Sequence, residues 1–399
     1  MRTMKAIYRQ TGVVLFALLA AAAQAGSQQK ENPYPSPGAG DTPETAGPLA
    51  TDLSPALNPK AIAKAMRKVG DWELARARPD FSQDWTFAAL YRGFLAAADS
   101  LPENRYRDAM VDVGNKFHWK LGPRLTEADD HAVGYAYLAL YRRTHDPKMF
   151  EPTKAALDSI LQMPNVCTET CPPWANQATP AYWWADSFFM GPPVWAQLSA
   201  ITGHREYLDR VDRDWWVTSN LLYDPVEHLY SRDESFLDRH EANGKKIFWS
   251  RGNGWVIAGL AEVLQDMPQN YPDRPRFVAQ FREMAASLAA VQCADGLWRP
   301  GLLNAAAYPL PEVSGSAFYI YALAWGIHHG LLDRATYLPV VKKGWAGLVS
   351  HIYADGRLGS IQPIGAAPDA FKPQTSYVFG VGAFLMAGAE LREVARTNP

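Results

Sequence analysis

Apolar residues recur every three and four positions along "KAIAKAMRKVGDWELARA" (residues 60–77), "RYRDAMVDVGNKFHWKL" (105–121), "YLDRVDRDWWVTSNLL" (207–222) and "RFVAQFREMAASLAAVQ" (276–292), with charged residues opposite. That spacing predicts amphipathic helices with one face in water. Between them lie segments of another kind: "DWTFAALYRGFLAAAD", "DDHAVGYAYLALYRRT", "ADSFFMGPPVWAQLSAITG", "GNGWVIAGLAEVL", "SGSAFYIYALAWGIHHG" and "TSYVFGVGAFLMAGAE". These are apolar nearly all round and rich in small and aromatic residues, as fully buried helices are. Their polar starters fall near Asp84, Asp130, Asp186, Asn253, Ser314 and Ser376, at intervals of about 45 to 65 residues, and such starters suit helix caps.

A long period of this kind marks a repeat architecture. Six buried helices alternating with six amphipathic ones bury every apolar face by closing into two concentric rings, an all-α (α/α)6 barrel over residues 59–399. Every inner helix then starts at the same end, and the polar starters converge on one mouth. "HLYSRDESF", "KKIFW", "ADGLWRPGLL" and "ADGRLGSIQPI" read as short strands or hairpins on the rim.

Composition adds two segments ahead of the barrel. Residues 1–25 combine Arg2, Lys5 and Arg9 with the apolar stretch "GVVLFALLAAAA" and small residues before Gly26, the layout of a cleaved secretory signal. Export to the periplasm or the medium is the expectation, with no membrane span, since no segment reaches the roughly 20 apolar residues a span needs. Residues 26–58 are Pro-, Gly-, Ser- and Thr-rich, and read as a flexible leader. The net charge of -2 with scattered basic residues excludes a phosphate-binding stripe, so nucleic acid is not an expected partner. Of three cysteines, Cys167 and Cys171 are close enough for a local disulfide, and Cys293 is left over.

The chain has no Gly-x-Ser-x-Gly elbow, Walker loop or His-Glu-x-x-His, and its nine histidines show no metal-ligand spacing. Neither a metal nor a cofactor is expected. Carboxylates and aromatics remain. Asp186 lies among Trp183, Trp184, Phe188, Phe189 and Met190, where desolvation raises a carboxyl's pKa toward the range of a general acid, although a helix start favours the anion. Asp129 and Asp130 open the second inner helix. Asp130 reads equally as a cap or as a carboxylate sharing the mouth with Asp186. In "WSRGNGW", Arg251 offers a fork for a carboxylate, Gly252 and Gly254 leave room for a ligand, Trp249 and Trp255 offer stacking faces, and Asn253 reads as the cap. Arg232 and Asp233 form either a salt bridge or a ligand contact on the rim. Trp85 is core by composition and pocket wall by position, whereas Glu312, Ser314 and Ser316 read as capping residues. The 14 tryptophans fit a saccharide site as well as a large core.

"WWADSFFMGPPVWAQLSAITG" followed by "FWSRGNGWVIAGLAEVL", together with "DDHAVGYAYLALY" and "EVSGSAFYIYALAWGI", resembles glycoside hydrolase family 105, the unsaturated rhamnogalacturonyl hydrolases, whose relatives are the unsaturated glucuronyl hydrolases of family 88. The resemblance runs from about residue 60 onward. It implies an (α/α)6 barrel acting on lyase-generated oligosaccharides that carry a 4,5-unsaturated uronic acid. It also implies Asp186 as general acid, Asp130 as its assistant, Arg251 and Trp255 lining the pocket, and Met190 and Trp249 as wall residues. Where many members carry His-Gly-Trp-Asp, this chain has "SRDES", which replaces a pocket histidine around Ser231 and Arg232. A conventional inverting glycosidase, with carboxylates roughly 6.5 to 9.5 Å apart, and a non-catalytic saccharide-binding protein are the competing readings. A lyase or epimerase would need a Tyr, His or metal arrangement that the sequence does not place.

Overall fold

A computed structural model of the chain describes residues 38–163 and 184–397. The expected signal, the first part of the leader, Cys167, Cys171 and Trp183 lie outside the described residues.

Six helices form an inner ring: α2 (Trp85–Ser100), α5 (Gly134–Thr144), α8 (Pro192–Thr202), α10 (Ser250–Asp266), α12 (Val313–His328) and α14 (Val378–Arg396). Each packs on the next, and α14 packs back on α2. The outer ring is α1 (Pro59–Ala77), α3 (Arg105–Lys116), α6 (Glu151–Leu161), α9 (Glu206–Leu222), α11 (Arg274–Ala290) and α13 (Arg334–Val349). They rest on α14, α2, α5, α8, α10 and α12 in that order. Two single-turn helices, α4 (Ala128–His131) and α7 (Ser187–Met190), stand immediately before α5 and α8. The barrel is the one that the periodicity predicts. Helix α3 buries Tyr106, Ala109, Met110, Val113 and Gly114, a single stripe at helical spacing. Helix α12 is buried at every residue from Val313 to Ile327, as an inner element must be.

Ring closure depends on glycine. A Cβ on Gly382 would lie 2.3 Å from the Ala89 carbonyl oxygen, and one on Gly93 would lie 2.5 Å from that of Gly382. Helices α2 and α14 therefore meet backbone to backbone.

The leader behaves differently from its composition. From Gly38 onward it is docked: β1 (Gly40–Asp41) pairs antiparallel with β4 (Ser376–Tyr377). Ala50 N–H donates to the Ile352 carbonyl at 2.8 Å, and Ala354 N–H to that of Pro48 at 2.9 Å. Backbone hydrogen bonds hold this arm, so its shortage of large apolar side chains does not free it. On the rim, β2 (Tyr223–Asp224) pairs with β3 (Leu229–Tyr230). The other expected hairpins reduce to single bridges, His240 with Lys246, Trp249 with Gly301 and Ile352 with Leu358. No helix among the described residues is long and apolar enough to cross a membrane.

Candidate active site

The N-terminal ends of the inner helices meet. Trp85, the first residue of α2, stacks on Phe379 near the start of α14, with ring centroids 5.8 Å apart, and meets Trp255 of α10 edge-on at 6.0 Å. Among these ends sits Asp186, 8% exposed. It precedes α7, but its side chain makes no capping bond. Ala185 N–H donates to the Arg232 carbonyl at 2.8 Å, which ties the turn carrying Asp186 to the loop after β3. The Arg232 guanidinium thereby faces the acid: its Nε lies 3.3 Å from Asp186 Oδ2. The two atoms are not aligned as a hydrogen bond, and neither has another hydrogen-bond partner among the described residues. Arg232 Nη1 donates to Asp233 Oδ2 at 2.6 Å. Burial raises the Asp186 pKa, and the positive charges of Arg232 and Arg251 pull it back without cancelling the rise. Burial works against the Arg232 charge, but Asp186 and Asp233 leave its pKa raised.

The two aspartates at α4 are held differently. Asp130 is 2% exposed and is held by Arg124, whose Nε and Nη2 donate at 2.9 and 3.0 Å while its backbone N–H donates at 2.6 Å. Gly122 makes room for it, since a Cβ there would lie 2.5 Å from the Asp130 carboxyl carbon. These contacts tie Asp130 to the Gly122–Arg124 loop. Asp129, one residue earlier, is the carboxylate within electrostatic reach of Asp186. Burial pushes its pKa up to about 8 against the pull of Arg124, and the charges of Asp186, Asp84 and Glu127 add to the rise.

The "RGNGW" cluster is also rearranged. Helix α10 starts at Ser250 with Trp249 at its cap position, so Asn253 lies inside the first turn. Asn253 does not cap the helix. It accepts from Tyr230 N–H at 2.7 Å and donates to the Tyr230 carbonyl at 3.0 Å, pinning β3. Arg251 is fully buried, donating to the Gln362 and Pro363 carbonyls, both at 2.7 Å. It sits over the rings of Trp249 and Phe379 at 4.4 and 4.7 Å. Its two terminal nitrogens are engaged by protein carbonyls. Trp249 donates to Gln362 Oε1 at 2.9 Å, and Trp255 is buried against Phe189 and Phe318. Gly254 lies against Gly315 and Phe318, so its lack of a side chain serves helix packing. Met190 is buried, its carbonyl accepting from Arg92 at 3.4 Å.

The structure thus sets Arg232 against Asp186 and Trp85 against Phe379 and Trp255, while Asp130, Arg251, Trp249 and Asn253 are engaged by hydrogen bonds to the protein and Trp255 and Met190 are buried. Glu312 caps α12, accepting from Ser314 N–H at 3.2 Å and Gly315 N–H at 2.6 Å, and also accepts from Gln362 N–H at 3.1 Å. Sequence reasoning missed Arg124 and Gln362, which lie in loops without periodicity. Gly122 and Arg124, just ahead of the Asp pair, were the available signal. At the opposite ends of α12 and α14, His328, His329 and Glu390 bring three possible ligand atoms within 4.8 Å of one another, a grouping the spacing of histidines does not show.

A sequence profile described as Glycosyl Hydrolase Family 88 matches residues 59–395. The chain is 40% identical over 346 residues to an unsaturated 3S-rhamnoglycuronyl hydrolase of Formosa agariphila, covering 84% of this chain and 91% of the relative. Among solved structures, a glycosyl hydrolase family 88 protein from Bacteroides vulgatus matches with a TM-score of 0.76 and 27% identity, over 84% of this chain and 99% of that one. A protein described as a polysaccharide lyase matches with a TM-score of 0.77 and 30% identity, over 86% and 99%.

Proposed function

The chain belongs to glycosyl hydrolase family 88 and is a glycoside hydrolase, and from that footing we propose that it removes a 4,5-unsaturated uronic acid from the non-reducing end of lyase-generated oligosaccharides by hydrating the ring double bond. The observation that carries this reading is Asp186, buried at the barrel mouth with a raised pKa and within electrostatic reach of a second carboxylate, Asp129, whose pKa is pushed up to about 8. Two such groups keep a proton available near neutral pH.

In the proposed reaction Asp186 delivers its proton to C4 of the C4=C5 bond. Positive charge develops at C5 and the ring oxygen, and the negative charge that Asp129 and Asp186 share stabilises it. Water adds at C5 and returns a proton to Asp186. The hemiketal formed opens, leaving a hemiacetal at C1 that expels the rest of the sugar. Trp85, stacked on the buried Phe379, supplies a flat apolar wall at the mouth. The identity to the Formosa relative supports an unsaturated rhamnoglycuronyl substrate. The basic start and apolar stretch of residues 1–25 support export.

The test is incubation with lyase digests of ulvan, pectin and glycosaminoglycans, following the ultraviolet absorbance of the conjugated double bond. Hydration makes that absorbance fall; a lyase acting on intact polysaccharide would make it grow. Asp186→Asn is expected to lose at least about 100-fold in kcat with an unchanged circular-dichroism spectrum. Near wild-type turnover in that variant would overturn the assignment.

A further inference from the structure

We propose that Arg232 is an exchangeable partner: it leaves Asp186 to bind the carboxylate of the substrate's uronic acid, so that substrate binding itself arms the acid. The proposal rests on the hydration reading above and adds to it the group that recognises the anion.

Three observations carry it. First, an acidic sugar needs a cation at the mouth, and Arg251, the arginine that the sequence nominates, is fully buried with both terminal nitrogens engaged by carbonyls. Second, Arg124 holds Asp130 and Arg232 approaches Asp186 in different ways. Arg124 grips Asp130 through both carboxylate oxygens and a backbone N–H. The Arg232–Asp186 contact is a 3.3 Å approach without hydrogen-bond alignment, leaving Arg232 Nε and Asp186 Oδ2 each without a hydrogen bond among the described residues. A charge pair largely withdrawn from water and left in that state gains by taking a better-placed partner. Third, Arg232 is tethered independently of Asp186: its Nη1 donates to Asp233 at 2.6 Å, and its carbonyl accepts from Ala185 at 2.8 Å. With its side chain 16% exposed, the guanidinium can turn a fork toward a carboxylate while its backbone stays in place.

The consequence for the acid follows from charge. The groups acting on Asp186 are Arg232 and Arg251, which hold its pKa down, and Asp233, which raises it; Asp129 also interacts with it, with Arg124, Asp84 and Glu127 around Asp129 in turn. Of these, Arg232 is the largest restraint on the Asp186 proton. When the uronate neutralises that guanidinium, Asp186 holds its proton more strongly, at the moment C4 is presented to it. In the free enzyme the same arginine keeps Asp186 more ionised.

The experiment compares the wild type, Arg232→Gln and Arg232→Lys on an unsaturated uronyl disaccharide and on its methyl ester, over a pH series. Since kcat/KM reports the free enzyme and kcat the complex, the wild type should lose kcat at a higher pH than it loses kcat/KM. In Arg232→Gln the limb of kcat/KM should move up to meet that of kcat, KM for the free acid should rise roughly 10- to 100-fold, and the preference for acid over ester should vanish. Arg232→Lys should recover part of the preference. A purely structural role predicts lower activity with the two limbs and the acid preference as in the wild type, and that result would overturn the proposal. The same comparison in the Asp186→Asn background, read as disaccharide binding by calorimetry, separates the two claims. Weaker binding without Arg232, in a protein whose wild type leaves every double bond intact, would sink the hydrolase reading and keep the anion site. Unchanged binding would sink the anion site alone.

Discussion

Asp129 and Asp130 are adjacent and chemically identical, yet they differ in fate because a helical turn points them about 100° apart. One side chain faces the Gly122–Arg124 loop and is consumed there. The other lies within electrostatic reach of Asp186. The sequence shows that one of the pair must do something other than cap. It does not show which, because the answer depends on where α4 begins and on a loop that carries no periodic signal. Substitution separates the two. Asp129→Asn should fold normally and lose roughly 10- to 100-fold in kcat, the scale of a group that stabilises developing charge. Asp130→Asn leaves Arg124 without its counter-charge and should cost about 2 kcal/mol, seen as a lower urea midpoint. Loss of kcat without loss of stability in Asp130→Asn would reverse the assignment. Arg251 teaches the same lesson about a residue type: a guanidinium suits a carboxylate, but it suits carbonyls 362 and 363 equally well, and only the fold decides.

At the scale of elements, the alternation of amphipathic and all-round apolar segments sufficed to place twelve helices in two rings, because it records which faces meet water. Starts were harder to read. Asp84 caps α2 as its position suggests, accepting from Thr86 N–H at 3.0 Å. At α10 the polar residue that looks like a cap belongs to the first turn, because its side-chain amide is committed to Tyr230. That commitment sets the course of the chain toward Arg232, so the frame and the site are coupled through β3. A second coupling runs through Gly259 of α10, where a Cβ would lie 2.3 Å from the Phe188 carbonyl oxygen in α7. Gly259→Ala should force back the turn that carries Asp186, costing about 1–3 kcal/mol and lowering kcat. Gly382→Ala, with an equally close 2.3 Å approach to Ala89, is the control. It should cost similar stability and leave the kcat of the folded protein near that of the wild type. Equal losses of kcat in the two variants would show that α7 has no special dependence on α10.

Over the whole molecule, the barrel buries carboxylates beyond those at its mouth, and this has a consequence for pH. Burial raises Glu73 to about 7 and Glu262 to about 7, against the pull of Arg76 and Arg92 respectively, while Asp129 is raised to about 8. A carboxyl whose pKa is raised in the folded state stabilises the fold fully below its unfolded value and loses that contribution as pH climbs through the folded value. Two histidines, His131 buried and His351 half-buried, act in the opposite sense. His131 and His351 have pKa values lowered by burial, so they penalise folding only while the unfolded chain is protonated, below about 6.5. Under pH 6.5 the two groups of residues therefore oppose each other, and above it the carboxyls act without that opposition. Stability should accordingly fall between about pH 6.5 and 8.5 by on the order of 2 kcal/mol, measured as the urea midpoint at constant ionic strength. Asp129→Asn removes one contributor and should flatten the decline, gaining on the wild type most at the alkaline end. A wild-type midpoint that rises across this window would mean that these carboxyls are ionised and well paired in the folded barrel at neutral pH, and Asp129 could not then serve as a shared store of the proton that Asp186 delivers.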